Sequence, residues 1–276
     1  MKLPRAIDYH KLDKREVPNG FGVIYTLVSV TSLYTLYYLG VETALALASC
    51  ILVGGFLGLM DDWIDIPWRY KAFLPLIASI PLITLRQGVT TMATYLWGKI
   101  DFGVLYYLVI IPIIVMVVTN SINMLGGLNG LETIPPLIIL GGLALSSNQG
   151  YLLLIPILSL SLLAIGNFKG KFFVGNVGSF SIGLTIASFG IVTNIEQIMV
   201  FSLTPYIFNS VLILFSYFFL HEKASLVLLN NGKLTAHKRR SLLTILAHGS
   251  ELSEKKIVCL VCCLVFLATY FAYWMG

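Results

Sequence analysis

Asp61, Asp62 and Asp65 place three carboxylates within five residues at the end of an apolar run, Thr43 to Met60, that holds no charge. Ionisable groups at a membrane edge are costly and mark functional sites. Carboxylates at this density suit a divalent cation, and Arg69 and Lys71 follow closely enough to hold phosphate, so the segment suits a magnesium–phosphate reaction. If the helix runs past Met60, Asp61 and Asp65 share a face at i, i+4, Asp62 and Asp65 meet at i, i+3, and Pro67 ends the helix. The same spacing is also that of a solvated, salt-bridged helix end.

Three further polar clusters lie along the chain. Segment 119–132, TNSINMLGGLNGLE, sets Asn120, Asn123, Asn129 and Glu132 around a Gly-Gly turn. Asparagines offer neutral oxygen ligands and amide donors, and glycines let backbone N–H groups approach a ligand, although a plain interhelical loop has a similar composition. In segment 166–179, GNFKGKFFVGNVGS, Lys169 and Lys171 are placed to meet phosphates. Asn176 stands where the next helix opens, facing an anion or capping the helix. The run His237-Lys238-Arg239-Arg240 either clamps a diphosphate or anchors the chain on anionic lipid.

The elements that hold these clusters are membrane helices. Of 276 residues, 57% are hydrophobic and 11% charged, with a mean hydropathy of +0.87. A soluble domain carries roughly 25% charged residues. The expected fold is an all-α, polytopic transmembrane helix bundle forming one domain over residues 1–276, with a long loop at 221–256. Nine spans are expected at 20–39, 42–60, 72–86, 103–123, 133–147, 150–166, 177–192, 197–220 and 257–275. Gly54 and Gly58 are assigned to helix packing. Cys50, Cys259, Cys262 and Cys263 lie in apolar stretches without a nearby histidine and read as membrane-helix residues, not a zinc site.

Sixteen Lys and Arg residues fall on one side of this topology and only Arg86 and Lys99 on the other. The positive-inside rule makes the sixteen-charge side cytoplasmic. All four polar clusters fall on that side, which suits an active site open to the cytoplasm. A transporter would place polar groups nearer the midplane.

Taken together, the clusters resemble the polyprenyl-phosphate N-acetylhexosamine-1-phosphate transferases. The likeness runs over nearly the whole chain. Asp8-x-x-Lys11-x-x-Lys14-x-x-x-Pro18 resembles the family's N-terminal cytoplasmic motif, GFLGLMDDWIDIPWRYK its Asp-Asp motif, NSINMLGGLNGLE its most specific string and FFVGNVGSFSIG its third motif. The eukaryotic and archaeal branch, which uses UDP-N-acetylglucosamine and dolichyl phosphate, is the nearer one. The bacterial branch, which uses UDP-muramoyl-peptides, typically has a His-rich inner loop, and here one histidine stands near residue 237.

The resemblance implies that a polyprenyl phosphate attacks the sugar-linked phosphorus of a UDP-N-acetylhexosamine and UMP leaves, with Mg²⁺ required and Mn²⁺ the alternative ion. It implies Asp61 and Asp62 as the catalytic pair and Asn123 and Asn176 as metal ligands. Lys71, Asn129, Glu132, Lys11, Lys14 and the His237-Lys238-Arg239-Arg240 run are implied substrate contacts. The lipid membrane is the expected setting, a homodimer the candidate assembly, and no nucleic-acid partner is expected. Three departures stand out. Asn176 occupies a position where the family usually has an Asp, Asn19 one where it has a Glu, and the family usually has one more span before the N-terminal motif. A homologue that binds lipid without turnover is therefore the alternative to an enzyme.

Overall fold

A computed structural model describes residues 4–94 and 98–275. The chain opens with a hairpin of β1 (Arg5–Ile7) and β2 (Glu16–Pro18), then α1 (Gly22–Tyr38) and α2 (Thr43–Ile64). Three short helices follow, α3 (Trp68–Lys71), α4 (Pro75–Ala78) and α5 (Ile80–Thr84), and a second hairpin, β3 (Thr91–Thr94) with β4 (Gly98–Asp101). Next come α6 (Ile111–Met124), α7 (Ile134–Leu145), α8 (Leu154–Phe168), α9 (Gly175–Val192), α10 (Glu196–Ser202) and α11 (Thr204–Phe219). A third hairpin, β5 (Val227–Leu228) with β6 (Leu234–Thr235), the short α12 (Leu242–Ala247) and α13 (Glu254–Met275) complete it.

Helix α9 is the axis of the bundle. It is buried almost throughout and packs against α2, α6 and α1. The glycines set these approaches. A Cβ on Gly58 would stand 2.6 Å from Val177 Cα, and one on Gly54 would strike the Leu184 side chain. Both are packing glycines, as their place in an apolar run suggests.

Among the described residues, five helical stretches, Thr43–Ile64, Tyr106–Met124, Gly150–Phe168, Gly175–Val192 and Glu254–Met275, are long and apolar enough to cross a membrane. The α10–α11 pair, bent by 61°, makes a sixth if taken as one span. The chain is an integral membrane protein built as a helical bundle. The nine expected segments all carry helix, but 72–86 does so only in the short turns α4 and α5. Pro75 and Pro81 cause this: each lacks an N–H and opens a new turn where it would otherwise break a ladder. Pro205 does the same at the start of α11 and produces the bend. The four cysteines are unpaired.

The two ends of the bundle differ as the charge count predicts. At the basic end the N-terminal hairpin, closed by Asn19 N–H donating to the Pro4 carbonyl at 2.8 Å, meets the α8–α9 loop, where Phe173 N–H donates to the Pro18 carbonyl at 2.9 Å and Arg15 to the Gly170 carbonyl at 3.0 Å. Phe21 stacks on Phe172 at 4.2 Å. At the opposite end Thr43 bonds Gln149, Val89 N–H bonds Asn194, and the Tyr106 hydroxyl bonds Glu196.

Candidate active site

Helix α2 continues through Ile64, which carries Asp61 and Asp62 onto its last turn. Asp61 is 3% exposed. Its Oδ1 accepts the Ile66 N–H at 3.0 Å and its Oδ2 pairs with the Lys71 ammonium. The pair forms because Asp65 takes the left-handed conformation (φ 52°) as the helix stops, and Pro67 starts the turn that brings Lys71 back beneath Asp61. Asp65 is therefore outside the helix and exposed, so the i, i+4 carboxylate face with Asp61 does not form.

Asp62 reaches across to α9. Its Oδ1 accepts the Asn176 N–H at 2.9 Å and its Oδ2 the Val177 N–H at 3.0 Å. A carboxylate thus caps the helix N-terminus from another helix, satisfying two donors and facing the positive end of the helix dipole. Gly175 makes room for it. Its φ of 72° suits glycine, and a Cβ there would lie within 2.9 Å of Asn19 Oδ1 and closer still to Asp62. Because Asp62 caps α9, the Asn176 side chain does not. Its Oδ1 instead accepts from Lys71 Nζ at 2.8 Å. Lys71 bridges Asp61 and Asn176 and sits 5.8 Å above the Phe180 ring.

The asparagine loop surrounds this bridge. Asn123, on the last turn of α6, accepts from the Ser179 hydroxyl at 2.8 Å, and Ser179 also donates to the Asn176 carbonyl at 3.3 Å. Asn120 donates to the Ala72 carbonyl at 2.8 Å. Asn129 is buried. Its N–H donates to Glu254 at 2.7 Å, and its side chain donates to Asp8 and Glu254, each at 2.9 Å. Lys11 pairs with the other oxygen of Glu254. Asn129 and Lys11 therefore join the N-terminal hairpin to the start of α13. Lys14 lies in the same hairpin loop, exposed, with φ 41°.

Glu132 follows this loop. Its Oε1 accepts one long hydrogen bond, 3.4 Å, from the Gly127 N–H. Burial raises its carboxyl to about 7, with the neighbouring Asp62 charge adding to the effect and Lys71 opposing it. Gly126 leaves space for the carboxylate, since a Cβ there would meet Oε1 at 2.6 Å.

The long loop docks on the same end. Leu242 N–H donates to Asn209 of α11 at 3.0 Å, and Asn209 donates to the Met124 carbonyl at 3.3 Å. Ser241 and Thr244 form a capping box for α12. Within the cationic run, Lys238 and Arg240 both pair with Glu222 and hold its carboxyl below the usual range, while His237 and Arg239 are exposed.

Two cavities flank the Lys71–Asn176 bond, one lined in part by Asn176 and the other by Lys71. One, of about 310 Å³, is mixed in character, with Asp62, Glu132, Asn176, Asn19 and His10 lining it beside Ile7 and Phe173. The other, of about 630 Å³, is an apolar groove between α6 and α11 whose inner end reaches Lys71, Asn120 and Asn123. Trp68 stands edge-on to Tyr217 at 5.3 Å along it. Among the described residues, no three His, Cys, Asp or Glu side chains gather as a ready metal cage. The oxygen donors beside the Lys71–Asn176 bond are amides flanked by carboxylates.

A protein-family model described as Glycosyl transferase family 4 matches residues 19–194. The chain belongs to this family. The match takes in the carboxylate, asparagine and α9 clusters and stops before the cationic run. Among curated proteins, one from Sulfolobus acidocaldarius is 37% identical over 222 residues, 74% of this chain and 67% of the relative. One from Saccharolobus solfataricus is 33% identical over 219 residues, with the same shares. Both carry the provisional name UDP-N-acetylglucosamine–dolichyl-phosphate N-acetylglucosaminephosphotransferase. A phospho-N-acetylmuramoyl-pentapeptide-transferase from Dictyoglomus turgidum is 27% identical over 221 residues, 75% of this chain and 70% of the relative.

Phe173 and Glu254 are additions to the residues singled out from sequence. Phe173 was within reach, since it lies in the FFVGN string. Asn167 fixes the asparagine loop by accepting from the Gly130 N–H at 2.9 Å and donating to the Phe172 carbonyl at 3.0 Å. Glu254 opens α13 three residues after Glu251 and is masked in sequence by Lys255 and Lys256.

Proposed function

We propose that this protein transfers N-acetylglucosamine-1-phosphate from UDP-N-acetylglucosamine to a polyprenyl (dolichyl) phosphate, releasing UMP. The carrying observation is the pair of cavities flanking the Lys71–Asn176 bond. A water-soluble nucleotide sugar and a membrane lipid must bring their phosphates to one point. The smaller cavity suits the former and the apolar groove the latter, and Lys71 stands between them.

In the reaction, an oxygen of the lipid phosphate forms a bond to the sugar-linked phosphorus. The bond from that phosphorus to the bridging oxygen breaks, and UMP takes the electron pair. The nucleophile is already an anion, so the chief task is to offset negative charge at the reacting phosphates. In this reading Lys71 does this from between the cavities, and the exposed Arg239 and His237 of the long loop add further cationic contacts. Phe173 offers a ring for the nucleobase. Asp61 and Asp62 hold Lys71 and the α9 N-terminus in position, and α9 in turn aims Asn176.

Mg²⁺, or Mn²⁺ in its place, would offset charge on the diphosphate when bound. The donor set suits a hard cation: the amide oxygens of Asn123 and Asn176 are its neutral ligands in this reading, with carboxylates beside them. The positive-inside rule supports a site facing the cytoplasm, where nucleotide sugars are made.

The test uses the purified chain, UDP-N-acetylglucosamine labelled in the sugar, polyprenyl phosphate and Mg²⁺. Label extracted into organic solvent supports the assignment, and its absence with an active lipid preparation refutes it. UDP-muramoyl-peptide in a parallel reaction decides between the two branches of relatives.

A further inference from the structure

We propose that Glu132 supplies the anionic ligand of the divalent cation in this chain, an inference that rests on the magnesium reading above. The starting point is charge. Asn123 and Asn176 bring amide oxygens only, and Mg²⁺ sites held by protein normally include one or two carboxylates.

Most nearby carboxylates are engaged elsewhere. Asp61 is buried, with one oxygen on Lys71 and the other on the Ile66 N–H. Asp62 uses both oxygens to cap α9. Asp65 is exposed beyond the helix end. Asp8 and Glu254 are buried on Asn129, and Glu254 is also paired with Lys11. Glu132 differs from all of these. It is half-buried, lines the smaller cavity with Asp62 and Asn176, and receives one hydrogen bond at 3.4 Å. A carboxylate taken partly from water with so little compensation suits a cation partner.

The loop makes this placement firm. Gly126 leaves the space that the carboxylate occupies. Asn167 holds the Gly130 N–H at 2.9 Å, and Glu254 holds the Asn129 N–H at 2.7 Å. Both fixings lie within three residues of Glu132, so the side chain is presented by an anchored backbone.

The experiment measures Mn²⁺ binding to the purified protein by electron paramagnetic resonance, with and without UDP, and needs no turnover. Glu132→Gln should weaken Mn²⁺ binding at least tenfold, and Glu132→Asp by a smaller factor. Adding Asn176→Asp to Glu132→Gln should recover most of the affinity by returning a carboxylate to the same cavity. Mn²⁺ affinity within twofold of wild type in Glu132→Gln overturns the proposal. If that variant does not fold, an unchanged affinity in Glu132→Asp overturns it. A wild-type protein that binds no Mn²⁺ even with UDP overturns the magnesium reading itself and this inference with it, whereas a normal wild type with an unaffected variant removes Glu132 alone.

Discussion

The Asp61–Lys71 pair carries a quantitative prediction. The Asp61 side chain is 1% exposed and that of Lys71 21%. Removing one partner of a buried pair leaves an uncompensated charge and costs about 3–5 kcal/mol, whereas removing both leaves no charge to desolvate. Lys71→Met alone strands Asp61 with the Ile66 N–H as its main donor, and Asp61→Asn alone strands Lys71 on Asn176. Each single variant should lose roughly 3 kcal/mol or more of stability. The double variant should lose less than the sum, with a coupling of about 2 kcal/mol in the range seen for contacting residues. Denaturant-induced unfolding in detergent, followed by tryptophan fluorescence, supplies the four corners of the cycle. Transfer activity should fall at least a hundredfold in all three variants, because Lys71 stands where the phosphates meet. Additive stability losses, or single variants as stable as wild type, would refute the pairing and the role of Lys71 in holding the turn after α2.

Other expectations follow from the same geometry. Asp62→Asn keeps one acceptor oxygen but loses the second bond and the charge at the α9 N-terminus, so it should cost roughly 2–3 kcal/mol and lower turnover a hundredfold; normal turnover would show that the cap does not position Asn176. Gly58→Ala should destabilise the bundle by about 1–3 kcal/mol, seen as a lower melting temperature, because its Cβ would press on Val177 and the Asn176 carbonyl. Glu132 has a folded-state value of about 7 against an ordinary 4.5, so the folded protein binds the extra proton in that window. Without metal, wild type should therefore lose stability relative to Glu132→Gln as pH rises from 5 to 8, by at most about 3 kcal/mol. A stability difference that does not change with pH would contradict this.

Local chemistry made much of the fold legible. Apolar runs separated by polar loops gave the helices, and the uneven Lys and Arg count separated the two ends. Pro75 and Pro81 stand inside an apolar stretch long enough for a span, and hydropathy alone does not show that they divide it into turns. The Asp61–Asp65 spacing presumes a helix that in fact ends at Ile64, and a single left-handed residue changes which groups meet. The least legible features are pairings distant in sequence. Asp62 caps a helix 114 positions later, and Asn129 is held by a carboxylate 125 positions later. Nothing in the local pattern of either residue encodes its partner. The asparagines were visible as possible ligands, but which of them bind backbone and which face the cavity depends on those partners.

The most direct test of the central claim identifies both products of one reaction. The purified protein is incubated with UDP-N-acetylglucosamine, polyprenyl phosphate and Mg²⁺, and the lipid and nucleotide fractions are analysed by mass spectrometry. Sugar-phosphate transfer predicts a polyprenyl diphosphate bearing N-acetylglucosamine, formed one-to-one with UMP. A polyprenyl monophosphate sugar formed with UDP, or no lipid-linked sugar at all, would contradict it.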